Sequence, residues 1–182
     1  GRKLGIVQPD AHTDLLSSRL GTKYCFGTWS FHANELLRKD RPAVKAGSRF
    51  VQLGIRQTGR DRGHWESKTG IRQFWADEIL AQATESVLDD VVRALKDAGV
   101  SQIYFSNDID GTDGEQVPAT GTPAAKGPMP AFFLALIRRL GAEFELAGAD
   151  IMEVAPDLAD AEGRRKTLAI AADYAWACLD QQ

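Results

Sequence analysis

Cysteine is scarce in this chain: only Cys25 and Cys178 are present, separated by most of the sequence. That spacing excludes a disulfide framework and any paired-cysteine metal motif, and a reducing, cytoplasmic setting is expected. Long apolar runs are missing too. No stretch reaches the length needed to span a bilayer, and the first residues lack the apolar core of a signal peptide. Nor is there a block of basic residues. The 22 Lys and Arg are scattered among 25 Asp and Glu, for a net charge of −3, which gives neither nucleic acid nor an anionic membrane a reason to bind. Small-molecule chemistry is what remains. With 43% hydrophobic and 26% charged residues over 182 positions, the chain can bury a core of its own and reads as one domain over residues 1–182.

Short apolar runs that end in polar or glycine residues mark strands at Leu4 to Val7, Phe50 to Ile55, Ile103 to Ser106 and Asp150 to Val154. Helical spacing marks Trp29 to Leu37, Ile71 to Ala83, Ala131 to Leu140 and Ala161 to Leu179. The clearest helix runs from Glu85 to Ala98, with Thr84 as cap, Val87, Leu88, Val91, Val92 and Leu95 as one stripe, and Gly99 as stop. Strands joined by crossover helices predict a three-layer α/β/α domain with a mostly parallel sheet, its strands buried on both faces. The chain opens almost at once in a strand that carries chemistry. A sheet seldom starts at its middle, so part of the domain's N-terminal side is expected to be missing from this sequence.

Two acidic clusters follow strand-like runs: Asp10-Ala11-His12-Thr13-Asp14 and Asp108-Ile109-Asp110. On an extended segment, residues i, i+2 and i+4 face one way, so Asp10, His12 and Asp14 would converge, as would Asp108 and Asp110. In an open parallel sheet both clusters would lie at the carboxyl ends of strands, where such sheets place ligands. Four carboxylates and an imidazole in one crevice would be costly to desolvate without a cation among them. Carboxylates mixed with imidazole suit Mn²⁺, Fe²⁺ or Zn²⁺ better than Ca²⁺, and bridging carboxylates favour two ions about 3.5–4 Å apart. Either cluster alone is commonplace, a turn or a strand end meeting water. Both in one alternating chain are more specific.

With the segments that follow them, the clusters resemble the ureohydrolase family of arginases, agmatinases and guanidinobutyrases. The resemblance is carried by Asp10-Ala-His-Thr-Asp14, by Ser106-Asn-Asp-Ile-Asp110 with Gly111 and Asp113, by Pro118-Ala-Thr-Gly-Thr-Pro123, and by Asp150-Ile-Met-Glu-Val154 with Pro156. It covers nearly the whole chain but only the later part of a typical member. The resemblance implies an arginase/deacetylase-like fold, two Mn²⁺ ions, and attack of a manganese-bound hydroxide on a guanidino compound to give urea and an amine. Asp10 and Asp108 would be shared between the ions, His12 and Asp110 would complete one, and Asp14 would belong to the other and bond the hydroxide. That second ion lacks a histidine, which the family supplies from an upstream segment not present here. Glu153 would pair with the substrate guanidinium, a task suited to a carboxylate facing a fork of N–H donors, and Thr122 would lie beside the scissile group. A homo-oligomer is implied as well.

Departures from the family pattern matter equally. Phe26 stands where a histidine commonly shuttles a proton, which a phenyl ring cannot do. His32, six residues on, is the available substitute. Leu16 and Gly59 replace side chains that would hold the α-amino acid end of arginine, so agmatine or a guanidino acid is expected as substrate in preference to arginine. The competing expectation is a non-catalytic homologue kept for binding or assembly.

Overall fold

The computed structural model describes residues 3–39 and 47–181. In chain order its elements are β1 (Leu4–Pro9), α1 (Trp29–Lys39), β2 (Phe50–Ile55), α2 (Arg62–Thr69), β3 (Arg72–Trp75), α3 (Ala76–Ala81), α4 (Thr84–Asp97), β4 (Gln102–Asp108), α5 (Pro130–Glu143), β5 (Glu145–Met152) and α6 (Ala161–Leu179). Among the described residues the strands form one sheet in the order β3-β2-β1-β4-β5. Every pairing in it is parallel.

Helices cover both faces. On one, Val87, Leu88, Val91, Val92 and Leu95 of α4 join Phe133, Leu136 and Leu140 of α5 and Tyr174 of α6 against Val7, Leu53, Ile103 and Phe105. On the other, Ile6 and Phe50 of the sheet pack with Leu37 of α1 and Trp65 of α2, with Trp29 and Phe31 alongside. This is the expected three-layer architecture. The strand order reverses at β1, whose neighbours β2 and β4 lie on opposite sides. The crevice above β1 and β4 is therefore the topological switch point at which open α/β sheets bind ligands.

Several boundaries differ from the sequence expectation. The helix expected over Ile71 to Ala83 is instead strand β3 followed by α3. Gln73 and Phe74 are buried within the sheet, and Glu78 turns the chain into α3 by accepting the Trp75 N–H at 3.3 Å. The helix α2 carries no apolar stripe in the sequence; Asp61 starts it by accepting the His64 N–H at 2.7 Å, and Gly70, at φ 70°, ends it. Thr84 begins α4 as its first residue while Ala83 occupies the cap position. At the other end Gly99 closes that helix as expected, with φ 72° and its N–H on the Lys96 carbonyl at 2.8 Å. The last strand runs Glu145–Met152, so it starts earlier than expected and stops before Glu153. It is an edge strand with alternating exposed residues, where a buried one was expected.

Candidate metal centre

The first cluster is built by a loop, not by the pleat. Strand β1 ends at Pro9, and the chain turns so that Asp10 is wholly buried while Asp14 sits in the left-handed region at φ 51°. Asp10 Oδ1 accepts the His12 backbone N–H at 2.6 Å. The second cluster turns as well: Asp108 ends β4 and caps a single 3₁₀ turn, Ile109–Gly111, by accepting the Asp110 N–H at 3.0 Å. Asp110 then reaches back to the first cluster, its Oδ1 taking the Ala11 N–H at 3.0 Å and its Oδ2 lying 3.0 Å from His12 Nδ1. Gly111 permits this approach, because a Cβ there would stand 2.6 Å from the Asp10 nitrogen.

Asp10, His12 and Asp110 each offer a ligand atom, all within 4.8 Å of one another. Carboxylates plus one imidazole form a donor set that suits a divalent transition ion, and the electrostatics call for one. Burial, then the charge of Asp110, raises Asp10 to about 7. Burial and the neighbouring Asp10 raise Asp14 to about 8, and burial with the Asp10 and Asp110 charges raises Asp108 to about 10. His12, bonded to Asp10 and Asp110, rises to about 10. Asp110 goes the other way: burial would raise it, but the His12 bond and charge outweigh burial and hold it below the usual carboxylate range. One cation at this point would replace the protons the acids otherwise retain.

Two supports of the centre escaped the sequence reading. A relay of buried amides crosses three strands toward Asp10. Trp75 Nε1 donates to Gln73 at 3.1 Å, Gln73 to Gln52 at 2.7 Å, Gln52 to Gln8 at 2.8 Å, and Gln8 Nε2 to Asp10 Oδ2 at 2.6 Å. In the sequence each glutamine is a single amide within an apolar run, and only the fold shows that all three are 0% exposed. The other support is Arg56, just past β2. Its guanidinium donates to the carbonyls of Gly54, Asp110, Gly111, Thr112, Ala124 and Ala125 at 2.7–3.1 Å. It pins the Asp110 turn to the long loop, residues 112–129, that leads into α5.

A cleft of about 480 Å³ opens over the cluster, and its lining includes His12, Asp14, Asp108, Asp110, Thr122 and Glu153. Thr122 donates to Asp110 Oδ2 at 3.0 Å, and Trp29 Nε1 donates to Asp14 Oδ2 at 3.1 Å. Glu153 is exposed at φ 60°, with Gly121 below it; a Cβ on Gly121 would come within 3.4 Å of Oε2. The flanking bridge of Thr120 with Val154 and the 2.8 Å bond from the Ala155 N–H to the Ala119 carbonyl hold that backbone. Leu16, Phe26 and Gly59 also line the cleft. His32 does not: its Nε2 is directed at the carbonyls of Lys23 and Ser17, at 2.8 and 3.2 Å, and its ring packs on Tyr24 and Phe31. The substitute expected for the missing histidine is thus held away from the cluster by its own loop.

Residues 1–180 match the model of the Arginase family. The chain belongs to the arginase family. It is 32% identical over 181 residues to the guanidinobutyrase of Pseudomonas aeruginosa, an alignment covering 97% of this chain and 53% of that protein. Arginase-1 of Homo sapiens is 32% identical over 168 residues, covering 85% of this chain and 51% of that protein. Among solved structures, proclavaminate amidino hydrolase from Streptomyces clavuligerus superposes with a TM-score of 0.78 at 30% identity, covering 98% of this chain and 55% of that one. The chain thus spans about half the length of the relatives it matches. No described helix is long and apolar enough to cross a membrane.

Proposed function

We propose that this chain carries a manganese centre and the guanidinium-binding side of an amidinohydrolase that releases urea and an amine from a guanidino compound. The observation that carries the reading is the convergence of Asp10, His12 and Asp110 donor atoms within 4.8 Å, under a cleft that Asp14, Asp108 and Glu153 also line. Its family relatives are named as hydrolases of such compounds, among them guanidinobutyrase, agmatinase and proclavaminate amidinohydrolase.

In this reading Asp10, His12, Asp108 and Asp110 would hold one ion, and Asp14, with Asp10 and Asp108, would hold a second. What manganese supplies when bound is a water acidified toward neutral pH. The chain's own residues do the rest. Asp14 takes the proton of the attacking water, Glu153 holds the guanidinium with its carboxylate, and Thr122 keeps Asp110 oriented through the 3.0 Å bond. Water adds to the guanidinium carbon, the bond from that carbon to the alkyl-bearing nitrogen breaks, and the nitrogen leaves as amine with the transferred proton. Leu16 and Gly59 put no charged group where an α-amino acid head would need one, so agmatine or a guanidino acid is the substrate in preference to arginine. The cytoplasm is the proposed setting, on the strength of two unpaired thiols, Cys25 and Cys178.

The test is urea release from a panel of guanidino compounds with Mn²⁺ added, alongside elemental analysis. Urea from at least one compound, lost together with bound metal in Asp10→Ala, supports the reading. Bound metal with no urea from any compound would overturn it in favour of a non-catalytic role.

A further inference from the structure

The exposed rim of the cleft holds a cation that, among the described residues, has no anionic partner. Arg19 lines the cleft with Leu16, Phe26, Gly27 and Trp65. Among the described residues its guanidinium has neither a hydrogen bond nor a carboxylate in ion-pair range, and it lies instead over the Phe26 ring, 4.6 Å from the centroid. Two further features fix it there. Its backbone opens a tight turn in which Arg19 and Thr22 exchange bonds of 2.9 and 3.0 Å, while Leu20 and Gly21 take φ 51° and 77°. And Gly27 is bare where it needs to be: a Cβ on it would stand 3.1 Å from Arg19 Nη1 and 3.2 Å from Cδ.

The acids in the cleft can be accounted for one by one. Among the described residues Asp14, Asp108, Asp110 and Glu153 are its only lining carboxylates, and the reading above gives three to the metals and the fourth to the guanidinium. None is left to meet a cationic tail. A substrate with an ammonium at its far end would therefore face Arg19 with no compensating charge. One with a carboxylate there would find a planar donor fork already oriented by stacking on Phe26.

We propose that Arg19 receives the tail carboxylate of the substrate, so that the preferred substrate is a linear ω-guanidino carboxylic acid and not a guanidino amine. The proposal rests on the guanidino-hydrolase reading for the placement of the reacting group. It also gives Phe26 a role: where a histidine would shuttle protons, the phenyl ring serves as the platform for Arg19.

The test uses three ligands of closely matched length, 4-guanidinobutanoate, agmatine and butylguanidine, whose tails are anionic, cationic and neutral. Dissociation constants for the manganese-loaded protein come from calorimetry, and urea release is followed in parallel. The protein should bind 4-guanidinobutanoate about five- to tenfold more tightly than butylguanidine, with agmatine weakest, and the ratio should shrink as salt is raised. Arg19→Met should bring the acid and neutral ligands together, Arg19→Lys should retain part of the preference, and Arg19→Glu should place agmatine ahead of the acid. An acid-to-neutral ratio unchanged in Arg19→Met, or agmatine bound as tightly as the acid by the parent protein, would overturn the assignment. Absence of urea from all three ligands would count against the hydrolase reading instead, since the binding ratios report on Arg19 whether or not turnover occurs.

Discussion

Gln8 Nε2 stands 2.6 Å from Asp10 Oδ2, so one oxygen of the most deeply buried carboxylate in the cluster is committed to an amide before any metal arrives. The opposite end of the same amide is just as constrained, with Gln8 Oε1 accepting from Ser30 and from Gln52, each at 2.8 Å. Partners of this kind orient ligating carboxylates and tune their basicity. They also make the centre dependent on residues two strands away.

Gln8→Leu removes that donor and leaves the Ser30 hydroxyl and a Gln52 amide proton without their acceptor. Metal affinity should fall about 10-fold or more, and stability should fall by about 1–3 kcal/mol through the unsatisfied buried groups. Calorimetric Mn²⁺ titration checks the first expectation and denaturant unfolding of the metal-free protein the second. Unchanged affinity with lowered stability would reduce the relay to a structural element.

This relay also shows where the sequence stops being legible. Asp10, His12, Asp108 and Asp110 stand out because clustered charge after an apolar run is costly without a purpose. Gln8, Gln52 and Gln73 do not, because single amides inside strands look like ordinary interruptions of an apolar pattern, and only the three-dimensional register aligns them. The sheet class and the α4 stripe follow from period alone, but β3 hides in a segment whose apolar spacing fits a helix nearly as well. Asp10, His12 and Asp110 converge through loop geometry and not through the i, i+2 alternation of a strand. Asp14 at φ 51° and the 3₁₀ turn after Asp108 are loop geometries that no strand pattern encodes.

Arg56 is the second support whose removal should be felt at the metals. Its contacts all go to carbonyl oxygens of the Asp110 turn, the long loop and its own strand end. Arg56→Met keeps most of the stem but leaves several partly buried carbonyls unpaired, so a destabilisation of about 2–4 kcal/mol is expected. Lysine cannot replace the planar fork, and Arg56→Lys should recover less than half of that loss. Urea unfolding with and without saturating Mn²⁺ measures both. The metal should stabilise Arg56→Met less than it stabilises the parent protein.

The cluster also fixes a pH dependence for the metal-free protein. Asp10, Asp14 and Asp108 are raised from 3.8 to about 7, 8 and 10, and His12 from 6.5 to about 10. For all four the folded state holds protons that the unfolded chain has released, so their contribution to stability is present at low pH and is lost as pH rises through the folded values. Asp110, held low, acts oppositely but only below about pH 4. In EDTA, Tm should therefore decline steadily from pH 5 to pH 9. Added Mn²⁺ should raise Tm far more at pH 8 than at pH 5, because the ion replaces protons that are still bound at the lower pH. A flat Tm profile in EDTA would show that these acids do not share one site.

Glu153 separates stability from function most sharply. Its φ of 60° is a conformation that costs a non-glycine residue about 1 kcal/mol or more, and Thr120 and Val154 hold the backbone there. Glu153→Gly should relieve that cost, raising Tm by a few degrees, because glycine takes the left-handed region freely; part of the gain is offset by the greater freedom of its unfolded state. Glu153→Gln keeps the backbone cost and loses only the charge. In the proposed function both variants retain their metals and lose guanidinium binding, so Kd for any guanidino ligand should rise by about tenfold or more in each, while only the glycine variant melts higher. A glycine variant that melts lower than the parent protein would mean that the carboxylate, despite its exposure, contributes more to the fold than its backbone conformation costs.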